Sequence, residues 1–216
     1  FHDVLQLVLS NFHLIGVLAL FTLGVTLTYR TTNVVNFSQA ITATIGAYMA
    51  GLLVRDLNCD PWLAMVIGVV LCFLIGVFLD AVVIRHIGGG NGRSMVTIAL
   101  IVILTAGIPL VFGTIPYNFP RFFSGQIEFS LFGMDFNVTK NALFVLILSI
   151  VLIAIVFLAL DLTKWGLGVR GTSSNMYVAS MMGVNTHMMT ALSWGISSAC
   201  GALAGILMAS QTQVIN

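Results

Sequence analysis

Between Ser94 and Pro120, and again between Asn141 and Leu160, the chain carries no charged side chain. A helix crossing a hydrocarbon core of about 30 Å needs about 20 mostly apolar residues, so each run can span a bilayer. The whole chain follows suit: 59% of its residues are hydrophobic and 7% are charged, where a soluble domain carries about a quarter charged residues. Strands of a membrane barrel alternate apolar and polar residues over about ten positions. These runs are apolar on every side, and a helix satisfies its own backbone groups in lipid. The sequence therefore predicts an all-α, polytopic helical transmembrane protein.

Hydropathy places about six spans, at Gln6 to Thr28, Ser38 to Val54, Pro61 to Ile84, Ser94 to Phe112, Asn141 to Leu160 and Met188 to Ser210, within one transmembrane domain over 1–216. Two connections exceed a turn. Gly113 to Lys140 mixes Pro116, Pro120, Gly125 and Gly133 with aromatics, which predicts a structured surface excursion with a short interfacial helix. Asp161 to His187 is polar and glycine-punctuated, with a short helix expected from Ser174 to Met182. The chain opens at Phe1 without an initiator Met or a signal-peptide pattern, so a trimmed piece of a longer protein is expected.

Basic residues near span ends are retained on the cytoplasmic side. Alternate loops collect Arg30, Arg85, Arg93, Lys164 and Arg170 on one face. The other face has Arg55, Arg121 and Lys140 beside Asp3, Asp56, Asp60, Glu128 and Asp135. The bias predicts that the 161–187 loop is cytoplasmic and that the N-terminus and the 113–140 loop lie outside. Neither the net charge of +1 nor any basic cluster points to nucleic acid.

Few residues could carry chemistry. A carboxylate at mid-membrane is the usual mark of proton or ion coupling, and the spans hold only His13 and, near a span end, Asp80. Asp80 is expected to snorkel as an interfacial anchor, within reach of Arg85. Cys59, Cys72 and Cys200 are scattered, without ligand spacing or a disulfide framework. The run Gly88 to Arg93 lacks the Lys and Ser/Thr of a phosphate loop and is expected to be a flexible cytoplasmic turn. With no zinc-type His pair, nucleophile elbow or paired carboxylates, no enzyme, metal or cofactor is expected.

Two patterns remain. Ser197, Gly201 and Gly205 recur every fourth residue on the last span, and Ala43, Ala47 and Gly51 do so on the second. Such stripes let helix backbones approach closely, either within one subunit or at a dimer seam. The connection Thr31 to Gln39 is unusually polar, and irregular backbone at membrane depth lines a cavity or is buried in protein. Asn33, Asn36 and Gln39 are the candidate solute-path residues; an ordinary capped loop is the other reading.

GVTLTYRTTNVVNFSQAITATIGAYMAG (Gly24 to Gly51) and GLGVRGTSSNMYVASMMGVNTHMMTALSWGISSACGALAGILMA (Gly166 to Ala209) together resemble the permease subunits of branched-chain amino acid ABC transporters, the LivH-type half. The first segment resembles that family's break, Asn-Phe pair and Gly-Ala-Tyr helix. The second resembles its cytoplasmic loop, with Arg170, Ala179, Gly183, Val184 and Asn185 in the expected places. Ser38 to Ile41 depart from the usual Ala-His-Gly and acidic residue, and Tyr177 stands where Glu is common. The resemblance implies an ATP-driven importer in a bacterial inner membrane. Its implied partners are a second permease subunit, two cytoplasmic ATPase subunits and a periplasmic solute-binding protein. Branched-chain amino acids are the first solute implied, with urea or amides as alternatives within the class and an uncoupled channel or facilitator outside it. For the 161–187 loop it implies ATPase coupling, carried by Arg170, Tyr177, Met181, Gly183 and Asn185. Tyr177 and Met181 lie one helical turn apart, as helix-in-groove anchors do.

Overall fold

The computed structural model describes residues 2–88, 90–113, 118–131 and 134–213. Phe1, Pro116 and Gly133, named above, and Gly89 of the Gly88 to Arg93 run lie outside the described residues. In chain order the elements are α1 (His2–Asn11), α2 (His13–Thr32), α3 (Gln39–Asp56), α4 (Pro61–Phe78), α5 (Gly90–Phe112), β1 (Gln126–Leu131), β2 (Met134–Thr139), α6 (Lys140–Leu162), α7 (Lys164–Ser174), α8 (Met176–Met181) and α9 (Thr186–Thr212).

Local chemistry sets the ends of these helices. Asp60 accepts a hydrogen bond from the Trp62 amide with Pro61 in the first turn, a favourable start for α4. Asn33 closes α2 in the left-handed conformation, φ 54°. Asn185 starts α9 by accepting from the Met188 amide.

The most buried long helix is α9, packed along its length by α2, α3 and α4. It can be central because it is built from small residues. A methyl group at Gly205 would collide with the Ala43 carbonyl of α3, and one at Gly201 would press on Gln39 and Thr42. The Ser197/Gly201/Gly205 stripe thus meets the face of α3 that carries Ala43, inside one chain. Val17, Leu20, Leu23, Val145, Cys200, Ala204 and Leu207 fill the α2–α6–α9 side, and Tyr48, Ala50, Ala64, Phe119 and Ile206 the α3–α4 side.

Among the described residues, five helical segments are long and apolar enough to cross a membrane: Gln6–Thr32, Pro61–His86, Gly92–Phe112, Lys140–Leu162 and Thr186–Thr212. Expected as a sixth span, α3 is not among them. Threonine, glycine and alanine dilute its apolar residues, and most of its surface faces protein. By contrast, α5 and α6 leave large apolar side chains outward, among them Val102, Ile103, Leu110, Ile150 and Ile155.

The elements meet at two ends. At one, Thr31 donates to Ser193 (3.0 Å) and Arg85 to the His187 carbonyl (3.4 Å). At the other, Asn141 donates to the Ser210 carbonyl (3.2 Å), and Trp62 meets Phe122 tilted and Phe123 and Phe144 edge-on.

Four expectations are corrected. Among its described residues the 113–140 excursion holds an antiparallel hairpin in register Gln126↔Thr139 to Leu131↔Met134, and no interfacial helix. Gly90 to Arg93 form the first turn of α5, not a flexible turn. In the 161–187 segment α8 falls on the short helix expected there, but the stretch before it is the helix α7 and not a loop. Asp80 does not snorkel: it is 2% exposed, accepting from Arg85 (3.3 Å) and Thr190 (3.2 Å). A π turn at Leu79–Val83 widens the end of the α4 segment there and turns the carboxylate toward α9.

Candidate solute path and coupling surface

Asn33, Asn36 and Gln39 occupy three different environments. Gln39 is fully buried, its amide donating to the Phe21 carbonyl (3.0 Å) and accepting from the Ser197 hydroxyl (2.7 Å). Gly24 makes room for it, since a methyl there would collide with the Gln39 amide. Gln39 therefore links α2 to α9 through the start of α3. Asn36 is also buried; its oxygen accepts from Ser38 (2.6 Å), and its Nδ2 has no hydrogen-bond partner among the described residues. Asn33 is exposed and lines a cavity of about 150 Å³ with Arg93, Thr31, Thr172 and Asn175.

Beyond this break, the side of α3 turned away from α9 faces α5 across an open groove of about 420 Å³. Ile41, Thr44 and Tyr48 line it from α3, and Thr105, Ile108 and Pro109 from α5. It is an apolar trough with a few hydroxyl groups. Sequence reasoning passed over Thr44 and Thr105; a Thr44–Tyr48 pair one turn apart, off the Ala43/Ala47/Gly51 stripe, was the available signal.

The second site is built at the end of α6. The Thr163 hydroxyl accepts from the Gly166 amide, and a methyl at Gly166 would collide with the Leu160 carbonyl, so α7 turns sharply back on α6. Gly168 lies against Met189 of α9, which fixes α7 from its other side. After α7, the Asn175 side chain accepts from the amides of Tyr177 and Val178 and starts α8. Gly183, at φ 86°, closes it with the Val184 amide donating to the Ala179 carbonyl. Gly183 and Asn185 thus shape the turn into α9.

Only Ala179 of α8 is buried. Tyr177, Met181 and Met182 are 69%, 71% and 81% exposed. Arg170 stands apart on α7, paired at 3.4 Å with the exposed Asp161. No group of three His, Cys, Asp or Glu side chains that could hold a metal ion occurs among the described residues.

A membrane bundle with small residues at its centre, a polar break beside a groove, and a helical projection at one end has the parts of a transport subunit. The family described as "Branched-chain amino acid transport system / permease component" matches residues 7–216, and the chain belongs to it. It is 29% identical over 209 residues to the "Probable branched-chain amino acid transport permease protein LivH" of Methanocaldococcus jannaschii, covering 93% of this chain and 64% of that relative. It is 23% identical over 212 residues to the "High-affinity branched-chain amino acid transport system permease protein LivH" of Escherichia coli K12, covering 92% and 68%. The corresponding protein BraD of Pseudomonas aeruginosa is 23% identical over 210 residues, with coverage of 92% and 68%. The chain thus spans about two thirds of the length of these relatives. No solved structure matches it.

Proposed function

We propose that the chain is the membrane-spanning subunit of an ATP-driven importer of branched-chain amino acids. The observation that carries this reading is the family match over residues 7–216. Its partners are a second permease subunit, two cytoplasmic ATPase subunits and a periplasmic solute-binding protein. It resides in the inner membrane with its N-terminus outside.

The α3–α5 groove forms half of the solute path and is closed by the second permease. Its apolar walls suit an aliphatic side chain, while Thr44 and Thr105 offer hydroxyls to the solute's charged groups. The path continues toward Asn36 and Asn33, with Gln39 holding the break open from behind. Among the described residues, Asp80 is the buried carboxylate, and it is already paired by Arg85, which supports a driving force supplied by partner subunits. Exposed Tyr177 and Met181 on α8 suit an apolar groove on an ATPase.

Leucine uptake into vesicles containing the chain and its partner subunits tests this. Uptake is expected to require ATP and binding protein and to fall sharply in Thr105→Trp, which fills the groove. Uptake down a gradient without the ATPase would instead favour a facilitator.

A further inference from the structure

The lipid-facing seam between α2 and α6 is not uniformly closed. At Gly16 the helices touch: a methyl there would lie 3.0 Å from the Ser149 Cβ. Further along, toward the end that carries Arg30, they part around an open apolar groove of about 350 Å³. Thr22 and Thr26 of α2 and Phe157 of α6 line it. Roughly one and a half turns beyond, ~9 Å at 1.5 Å per residue, the same two helices and α7 enclose a second cavity of about 210 Å³.

That second cavity changes character. Its floor is Leu27 and Leu160, and its rim carries Arg30, Arg170, Ser173 and Ser174, with Asp161 as its one carboxylate. Arg170 pairs with Asp161 at 3.4 Å. Arg30 makes no hydrogen bond or ion pair with any described residue, so the rim keeps one uncompensated positive charge above an apolar slot.

We propose that these two successive cavities together bind one anionic phospholipid from the leaflet at this end of the bundle. Its phosphate lies against Arg30 and Arg170, with the serine hydroxyls donating to it, and one acyl chain lies in the α2–α6 groove. Basic pockets between membrane helices at the interface recruit such headgroups. Charge decides for lipid over a neighbouring helix, which would supply apolar contact and leave Arg30 unanswered. Three of the headgroup residues belong to α7, so a bound lipid fastens α7 to α2 and thereby sets the position of α8.

Lipid retention on purified protein tests the site without solute or ATPase, so its failure leaves the transport reading standing. The protein, with any subunits that accompany it, is placed in bilayers of equal phosphatidylcholine and phosphatidylglycerol. It is then released in mild detergent, and its retained lipids are counted by native mass spectrometry. Retention of one phosphatidylglycerol per chain is expected. Arg30→Gln should lower it about fivefold, the effect of one arginine near a bilayer surface. Thr22→Trp, which fills the acyl groove without touching charge, should abolish it. Equal retention of the two lipids, or phosphatidylglycerol retention unchanged in both variants, overturns the proposal. So does efficient cross-linking of Thr22→Cys to another subunit in native membranes, which would assign the groove to a protein partner.

Discussion

Asp80 and Arg85 form an unequal pair, because the carboxylate side chain is 3% exposed and the guanidinium 34%. Removing either partner breaks the same contact but strands different charges. Arg85 can turn to water or headgroups, whereas a stranded Asp80 stays buried against α9 with Thr190 as its remaining partner. Arg85→Ala should therefore cost about 3 kcal/mol of stability, and Asp80→Asn about 1. Thermal unfolding of the two variants in one detergent checks this, and equal or reversed losses would sink the explanation. Glycines provide a second contrast of the same kind. At Gly205 an added methyl meets the Ala43 backbone, while at Gly107 nothing lies within 4 Å. Gly205→Ala should destabilise by about 1–3 kcal/mol. Gly107→Ala should be neutral or stabilising by up to about 1 kcal/mol, because alanine is the better helix former. Gly205→Ala should lower both the amount of folded protein in the membrane and its melting temperature, Gly107→Ala should leave both unchanged or raise them, and a loss in both variants would mean that propensity and local space do not govern these sites.

Among the elements, α8 joins structure to the proposed coupling most directly. It is six residues long, capped by Asn175, closed at Gly183 and anchored through Ala179, so its exposed side chains contribute little to its own stability. Tyr177→Ala should weaken retention of the ATPase by about 2 kcal/mol, roughly 30-fold, with Met181→Ala acting in the same direction. The quantity of folded permease should not change. If both variants, singly and together, retain ATPase and transport as wild type does, α8 is only a connector. The short helix was legible because apolar residues recur one turn apart between Asn175 and Gly183. Its neighbour α7 was not: Gly166, Gly168 and Gly171 resemble a loop in sequence, yet Gly166 and Gly168 give the close approach to Leu160 and Met189 that a helix needs there. The hairpin did leave a signal, since Ile127, Phe129 and Leu131, then Met134, Phe136 and Val138, alternate with period two. Its prolines and aromatics mask that signal, because they are equally the composition of an interfacial segment. The uncharged spans were legible for the opposite reason, because lipid admits so few alternatives to an apolar helix. Of the candidate site, the polar break was visible in sequence. The separation of buried Gln39 from exposed Asn33 was not, because it depends on Gly24 and Ser197 arriving from distant helices.

At the scale of the whole molecule, helix packing gathers the loop charges at two ends. Arg30, Arg85, Arg93, Lys164 and Arg170 lie near the end where α2 and α6 finish and α9 begins. Arg55, Arg121 and Lys140 lie near the opposite end with the hairpin. Five basic residues against three favour the proposed orientation, with α7 and α8 in the cytoplasm. Single-cysteine labelling tests this, starting from a chain in which Cys59, Cys72 and Cys200 are replaced. Cys72 and Cys200 are buried, so Cys59 is the native thiol whose background labelling matters most. Arg121→Cys, Arg170→Cys and Met182→Cys then report on exposed positions at the two ends. An impermeant maleimide added to intact cells should label position 121 alone, and permeabilisation should add positions 170 and 182. Labelling of 170 and 182 in intact cells, with 121 protected, would invert the bundle. It would also remove α8 from the reach of any cytoplasmic ATPase, so a single measurement of sidedness bears on both the charge argument and the proposed coupling surface.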